Sequence, residues 1–214
     1  MKKVFMLLVL IGALFITGCT DEGVLDIINN SAGTIWFTIN SGSERTLDAY
    51  DRDSFSWDLS TSIFGDEDKD ITIDYYGIYT FSNSAEATVK PGKTTKIRIN
   101  SDGGAIKIWN NSSLFYIEEV YISPSSSSSW GDNLIYGDLG PGEYQIWTVS
   151  PGSWDVYLVD DWGDQFVSYD NYISTNEMTV FEYTGFKKTS DAVGEKKANA
   201  AKYSEVIEGK LERR

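Results

Sequence analysis

Two nine-residue stretches of this 214-residue chain, "GVLDIINNS" at 23–31 and "GAIKIWNNS" at 104–112, agree at glycine, isoleucine, both asparagines and serine with an offset of 81. The correspondence continues in the same order. "ITIDYYGIYTF" from Ile71 lies opposite "VYLVDDWGDQF" from Val156, each read as strand, turn and strand with a shared glycine at Gly77 and Gly163. The two stretches close on "TTKIRIN" and "EMTVFEY". One match of this kind arises by chance, but several in one order over about 80 residues argue for duplication. A duplicated chain must close two small cores rather than one large one. The expected bounds are 23–102 for the first copy and 103–186 for the second.

Each copy reads as strands. "TIWFTI" (34–39), "SFSW" (54–57), "ITIDYY" (71–76) and "TKIRI" (95–99) alternate or run apolar, as do "AIKIW", "FYIEEVYI", "EYQIWTV", "WDVYLVD" and "MTVFEY" in the second copy. Turn formers separate them: "NNS" twice, "KPGK", "GPGE", "SPGS" and "DDWGD". The expected fold is all-β: two tandem small β-sandwich domains, immunoglobulin-like or related, followed by a short C-terminal helix or tail. Cys19 is the only cysteine, so no internal disulfide is available and packing must supply the stability. An aromatic content of 14% with 7 Trp provides the apolar area for that.

The first 18 residues have another purpose. "VFMLLVLIGALFI" (4–16) carries no charge and follows Lys2 and Lys3, but a bilayer-spanning helix needs ~20 apolar residues. Its order is that of an export signal. Ile16, Thr17, Gly18 and Cys19 resemble the lipobox of bacterial lipoproteins. That resemblance implies a diacylglycerol on the Cys19 thiol, cleavage before Cys19, and acylation of the new amine, palmitate being a common acyl group. The expected mature protein is anchored to the membrane through its N-terminal lipid, with 19–22 as a tether. Thr20 rather than Asp follows the cysteine, which in an organism with two membranes implies the outer one.

The second copy, from Asn110 to Tyr183, carries "NNSS", "VYISPSSSSSWGDNLIYGDLGPGE" and "SPGSWDVYLVDDWGDQF". In these it is similar to an uncharacterised domain of exported bacterial proteins. The first copy lacks the serine run and the Trp-Gly pair, and has "LDAYDRD" in place of "LGPGE". The resemblance implies no activity. Because "SSSSSW" falls inside a copy, it reads as a loop and not as a linker.

Charge narrows the partners. Residues 19–186 hold eight basic and 27 acidic side chains, while 187–214 hold eight basic and five acidic. An acidic body is repelled by phosphate backbones, so nucleic acid is not an expected partner. There is no histidine, which removes Ser-His-Asp and Cys-His nucleophile systems and histidine zinc sites. A carboxylate pair for glycoside hydrolysis stays open in principle, but nothing nominates one.

Two kinds of contact residue stand out. "GDEDKD" (65–70) and "DDWGD" (160–164) gather carboxylates at turns, and Asp160, Asp161 and Asp164 are candidate calcium ligands. Neither stretch has EF-hand spacing, and Asp and Gly also suit a hairpin turn for its backbone angles. Trp130 and Trp162, each followed by glycine, are candidate ligand contacts at loops, although core or loop-anchoring roles are commoner for tryptophan. Trp147, alternating with Gln145, is expected to point inward. In the tail, Ala200, Tyr203, Ile207 and Leu211 recur at helical spacing from an N-cap near Thr189 or Ser190, weakened by Gly194 and Gly209. The functional expectation is a non-enzymatic binding or adhesion module of the cell envelope with a glycan or protein ligand. The alternative is a structural or accessory subunit of an envelope assembly.

Overall fold

A computed structural model describes residues 19–61 and 65–185; the expected signal segment 1–18 and basic tail 187–214 lie outside the described residues. The described chain is all-β. The first half contains β1 (Cys19–Asn29), β2 (Ile35–Ile39), β3 (Arg45–Leu47), β4 (Arg52–Thr61), β5 (Lys69–Gly77), β6 (Thr80–Val89) and β7 (Thr94–Ile99). The second contains β8 (Gly104–Asn110), β9 (Ile117–Pro124), β10 (Tyr144–Val149), β11 (Gly152–Asp160), β12 (Gln165–Ile173) and β13 (Met178–Tyr183). No helix of the described residues is long and apolar enough to cross a membrane.

Strand order is the same in both halves. β1 lies between an antiparallel β4 and a parallel β7, and β8 between an antiparallel β10 and a parallel β13. The opposing sheets run β3-β2-β5-β6 and β12-β11-β9. A single bridge, Ile117 to Leu139, stands where Ile35 pairs with Leu47 in the first half. This order differs from the immunoglobulin arrangement, which groups the first, second, fifth and fourth strands in one sheet. Here the first strand pairs with the fourth and the seventh instead.

Period-two alternation explains the layers. Leu25 and Ile27 of β1 point inward to meet Ile35, Phe37, Ile71, Ile73, Val89 and Ile99 in one core. Ile106 and Ile108 of β8 do the same with Val120, Trp147, Val156, Leu158 and Phe181 in a second core. Trp147 is buried, as its alternation implied. β6, "TFSNSAEATV", has no apolar run; it pairs only with β5, so it lies at a sheet edge where polar side chains reach water. Residues 19–22, expected as a tether, form the start of β1 and pair with 58–61 of β4.

The repeated "GVLDIINNS" and "GAIKIWNNS" have a packing explanation at both ends. A Cβ on Gly23 would lie 2.7 Å from Leu59 Cδ1, and one on Gly104 would lie 2.3 Å from Ser174 O, so both repeated stretches begin where a neighbour leaves no room. At the other end, Asn29 is fully buried. Its Nδ2 donates to the carbonyls of Gly33 (2.8 Å), Asp48 (2.8 Å) and, more weakly, Leu47 (3.2 Å), and its Oδ1 accepts the Ser31 N–H at 2.8 Å. Asn110 repeats this arrangement, donating to Phe115 O and Leu139 O at 2.8 Å and accepting the Ser112 N–H at 3.0 Å. The shared glycines, by contrast, are not equivalent. Gly77 ends β5 paired with Ile35, the place that Asp160 takes opposite Ile117, whereas Gly163 sits in a turn at φ 77°.

Strand direction orders the two halves end to end. β1 runs toward Asn29, β7 beside it brings Ile99 to the same end, and 100–103 then lead into β8, which runs away toward Asn110. Asn176, in the β12–β13 turn, clamps the junction: its Oδ1 accepts the Ala32 N–H (2.7 Å) and the Ser101 hydroxyl (2.6 Å), and its N–H donates to Gly103 O (2.9 Å). Thr148 Oγ1 lies 3.0 Å from both Gly77 O and Ile78 O. Cys19 lies at the end of β1 away from this junction, and Asn110 at the end of β8 away from it.

Removing either buried carboxamide strands several carbonyls. Asn29→Ala and Asn110→Ala are each expected to lower the unfolding free energy by about 2–4 kcal/mol, and Asn30→Ala, with one exposed side-chain bond, by under about 1 kcal/mol. Urea unfolding of the lipid-free protein measures both, and equal effects at Asn29 and Asn30 would refute this account.

Candidate functional site

The two tryptophans expected at loops have different fates. Trp130 is only 3% exposed, its ring 5.3 Å from that of Tyr157 and 6.0 Å from that of Tyr169. It is the apolar residue within "SPSSSSSWGDN", and it anchors the long β9–β10 connection against the outer face of β11 and β12. Its expected contact role is therefore corrected to a packing one. Trp162 is 78% exposed in the β11–β12 turn.

That turn is built around Asp160. The buried Asp160 carboxylate accepts the N–H groups of Trp162 (3.0 Å) and Asp164 (2.7 Å) on Oδ1 and the Tyr183 hydroxyl on Oδ2. Two of these bonds close the turn on itself. The third ties it to β13. Asp161 links it to the β8–β9 loop, accepting the Tyr116 N–H at 3.3 Å while its own N–H donates to Tyr116 O at 3.0 Å. Among the described residues no three Cys, Asp or Glu side chains are grouped so as to hold a metal; Asp160 and Asp161 direct oxygens at protein donors.

These bonds fix an aromatic end on the second half. The Phe115 ring meets Trp162 edge-on, 5.6 Å between centroids at 85°. Leu114 (71% exposed) and Tyr116 (46%) stand on the same loop. A Cβ on Gly140 would lie 3.3 Å from Tyr116 Cε1, and the Gly140 N–H donates to Glu143, which brings a third loop and another carboxylate to this end. Leu114 and Tyr116 are exposed residues of this end that the sequence reading did not single out. Their signal was "LFY" directly after a turn, an apolar triplet that strand β9 does not include.

Elsewhere the surface is less convergent. Hollows of about 420 and 460 Å³ lie along β5 and β6; the first contains Asp74, and the second Asp70 and Glu86. The Asp70 carboxylate accepts the Thr88 hydroxyl at 2.8 Å.

Burial and carboxylate neighbours hold two tyrosines protonated. Burial, then the hydrogen bond to Glu119, pushes Tyr121 up to about 12, and burial with the bond to Asp160 pushes Tyr183 upward as well. An unfolded tyrosine titrates near ~10. The folded protein thus keeps protons that the unfolded chain gives up. This stabilisation is full below pH ~10 and is lost as pH rises through the folded values. Absorbance titration at alkaline pH is expected to show late-ionising tyrosines, one of them removed by Tyr183→Phe. A Tyr183→Phe titration matching the wild type would contradict the assignment.

No protein-family model matches the chain, and no curated protein does. Among solved structures, "The Bacillus anthracis TIE protein" is similar over 77% of this chain and 34% of that one, at 11% identity and a TM-score of 0.27. The chain thus spans about a third of that protein's length.

Proposed function

We propose that this is a lipid-anchored protein of the cell envelope, without catalytic activity, that binds a ligand through the aromatic end of its second half. The halves are read as products of one duplication, supported by their common strand order and their repeated asparagine knot. One observation carries the functional reading. In the first half, the loop after the knot and the β5–β6 turn are covered by the second half, through Ala32, Ile78 and Tyr79. In the second half the equivalent loop and turn have no such cover among the described residues and carry Leu114, Tyr116 and Trp162. A surface used for docking in one copy is available in the other, and exposed aromatics on rigid loops are suited to contact.

An anchor at Cys19 would orient the protein on the membrane. With lipid on Cys19 at the start of β1, the aromatic end faces away from the membrane. Residues 16–18 lie outside the described residues, so the anchor rests on the lipobox resemblance.

Capture from envelope extracts by immobilised protein tests the binding surface. Trp162→Ala combined with Leu114→Ala is expected to abolish recovery of the wild-type ligand while leaving the urea midpoint within error. Undiminished recovery by that double variant would sink the proposed surface. Glycans or foreign proteins in the captured material fit adhesion, whereas one stoichiometric envelope protein fits an accessory subunit. Separately, the wild type is expected to incorporate labelled fatty acid and resist high salt, and Cys19→Ala to lose the label. A labelled Cys19→Ala protein would remove the anchor.

A further inference from the structure

The charge of the second half bears on what its aromatic end accepts. Residues 104–185 contain twelve acidic side chains and one basic one, Lys107. Lys107 does not lie among the loops of that end. It springs from the middle of β8, and its ammonium is held over the rings of two strand residues near the Asn110 end, 3.7 Å from the Tyr144 ring centroid and 5.9 Å from that of Trp109. At the end itself, Trp162, Leu114 and Tyr116 are exposed beside Asp161, Asp164 and Glu143.

We infer that the ligand of this surface is a cationic polypeptide segment, rich in Arg or Lys with interspersed aliphatic residues. The inference rests on the binding reading above and specifies its ligand class. Three physical arguments support it. An exposed indole and phenol face attracts a guanidinium or ammonium, and carboxylates flanking the rings add Coulomb attraction in the same place. The aliphatic stems of Arg and Lys cover apolar surface such as Leu114 while their charged ends reach the carboxylates. The same field repels phosphate polymers and anionic headgroups, whereas a neutral glycan gains nothing from it. A small cation would use one ring, but the exposed side chains come from two loops held together by the Asp161–Tyr116 bonds, with Glu143 on a third. That spread suits an extended chain. The carboxylates matter here as the rim of an exposed apolar surface, not as a site on their own.

The test uses the full chain in detergent with three probes: a labelled (Arg-Leu)4 peptide, its charge-reversed (Glu-Leu)4 counterpart, and a neutral hexasaccharide. Expected is saturable binding of (Arg-Leu)4 alone, weakening as salt rises. Trp162→Ala should weaken it about fivefold, the equivalent of one cation–π contact. Asp161→Asn with Asp164→Asn should do likewise, since the amides keep the acceptor for the Tyr116 N–H but remove the charge. Asp74→Asn with Glu86→Gln, an equal loss of two charges on the first half, should change nothing.

Equal loss in the Asp74→Asn, Glu86→Gln variant, or none in the tip variants, would reduce the effect to general acidity and overturn the inference. Hexasaccharide binding that is lost in Trp162→Ala, with no peptide binding, would keep the surface and overturn the ligand class. Peptide binding seen only after deletion of 187–214 would assign the surface to the chain's own basic segment. A concentration-dependent dimer abolished by Trp162→Ala would assign it to a second copy. Either of these last results also overturns a foreign cationic partner.

Discussion

The buried carboxamide at the end of each first strand is the interaction on which the rest depends. At Asn29 and Asn110 the chain leaves one sheet and crosses to the other, exposing carbonyls that no ladder can satisfy. A side chain with both donors and an acceptor meets that need from inside the core. With a single cysteine in the chain, no disulfide can pin the crossing instead. The following serine completes the knot: the Ser112 hydroxyl donates to Phe115 O, and the Ser31 hydroxyl lies 2.7 Å from Asn29 Oδ1. "NNS" looks like a turn former, yet its first Asn and its Ser hold two sheets together.

Once the crossing is fixed, the loop beyond it can take different side chains. After Asn29 it is "NSAGT", small residues that let Ala32 approach Asn176 of the second half. After Asn110 it is "NSSLFY", whose Phe115 supports Trp162 and whose Leu114 and Tyr116 face solvent. The turn joining the next hairpin diverges likewise: Ile78 and Tyr79 accept hydrogen bonds across the junction, while Asp161 and Trp162 stand at the far end. The first half turns these loops toward the second. Those of the second half face solvent among the described residues.

Much of this was legible before the structure, and the reason is local. β2, β5, β7, β8, β11 and β13 were readable because a half-buried strand alternates its side chains and a central one runs apolar. β6 was not readable as a strand in its own right, since an edge strand with one partner needs no apolar stripe. Trp130 and Trp162 share the dipeptide Trp-Gly and a loop setting, so nothing local separates them. Their difference comes from Tyr157 and Tyr169, distant in sequence, which bury one indole, and from Asp160, which holds the other's backbone so that its ring stays outside.

By itself, then, the sequence determined the division into two β-units, the inward residues of most strands, the absence of any disulfide, and the acidity of the body. These follow from periodicity, composition and repetition, which act over a few residues or over the whole chain. Only the tertiary structure decided that the first strand pairs with the fourth and seventh, that Asn29 and Asn110 are buried, and that Asp160 organises a turn. It also decided that Leu114, Tyr116 and Trp162 share one end while Trp130 does not. Each of these depends on which segments meet across tens of residues, and pairing at that range is set by the closure of the core, not by any local pattern.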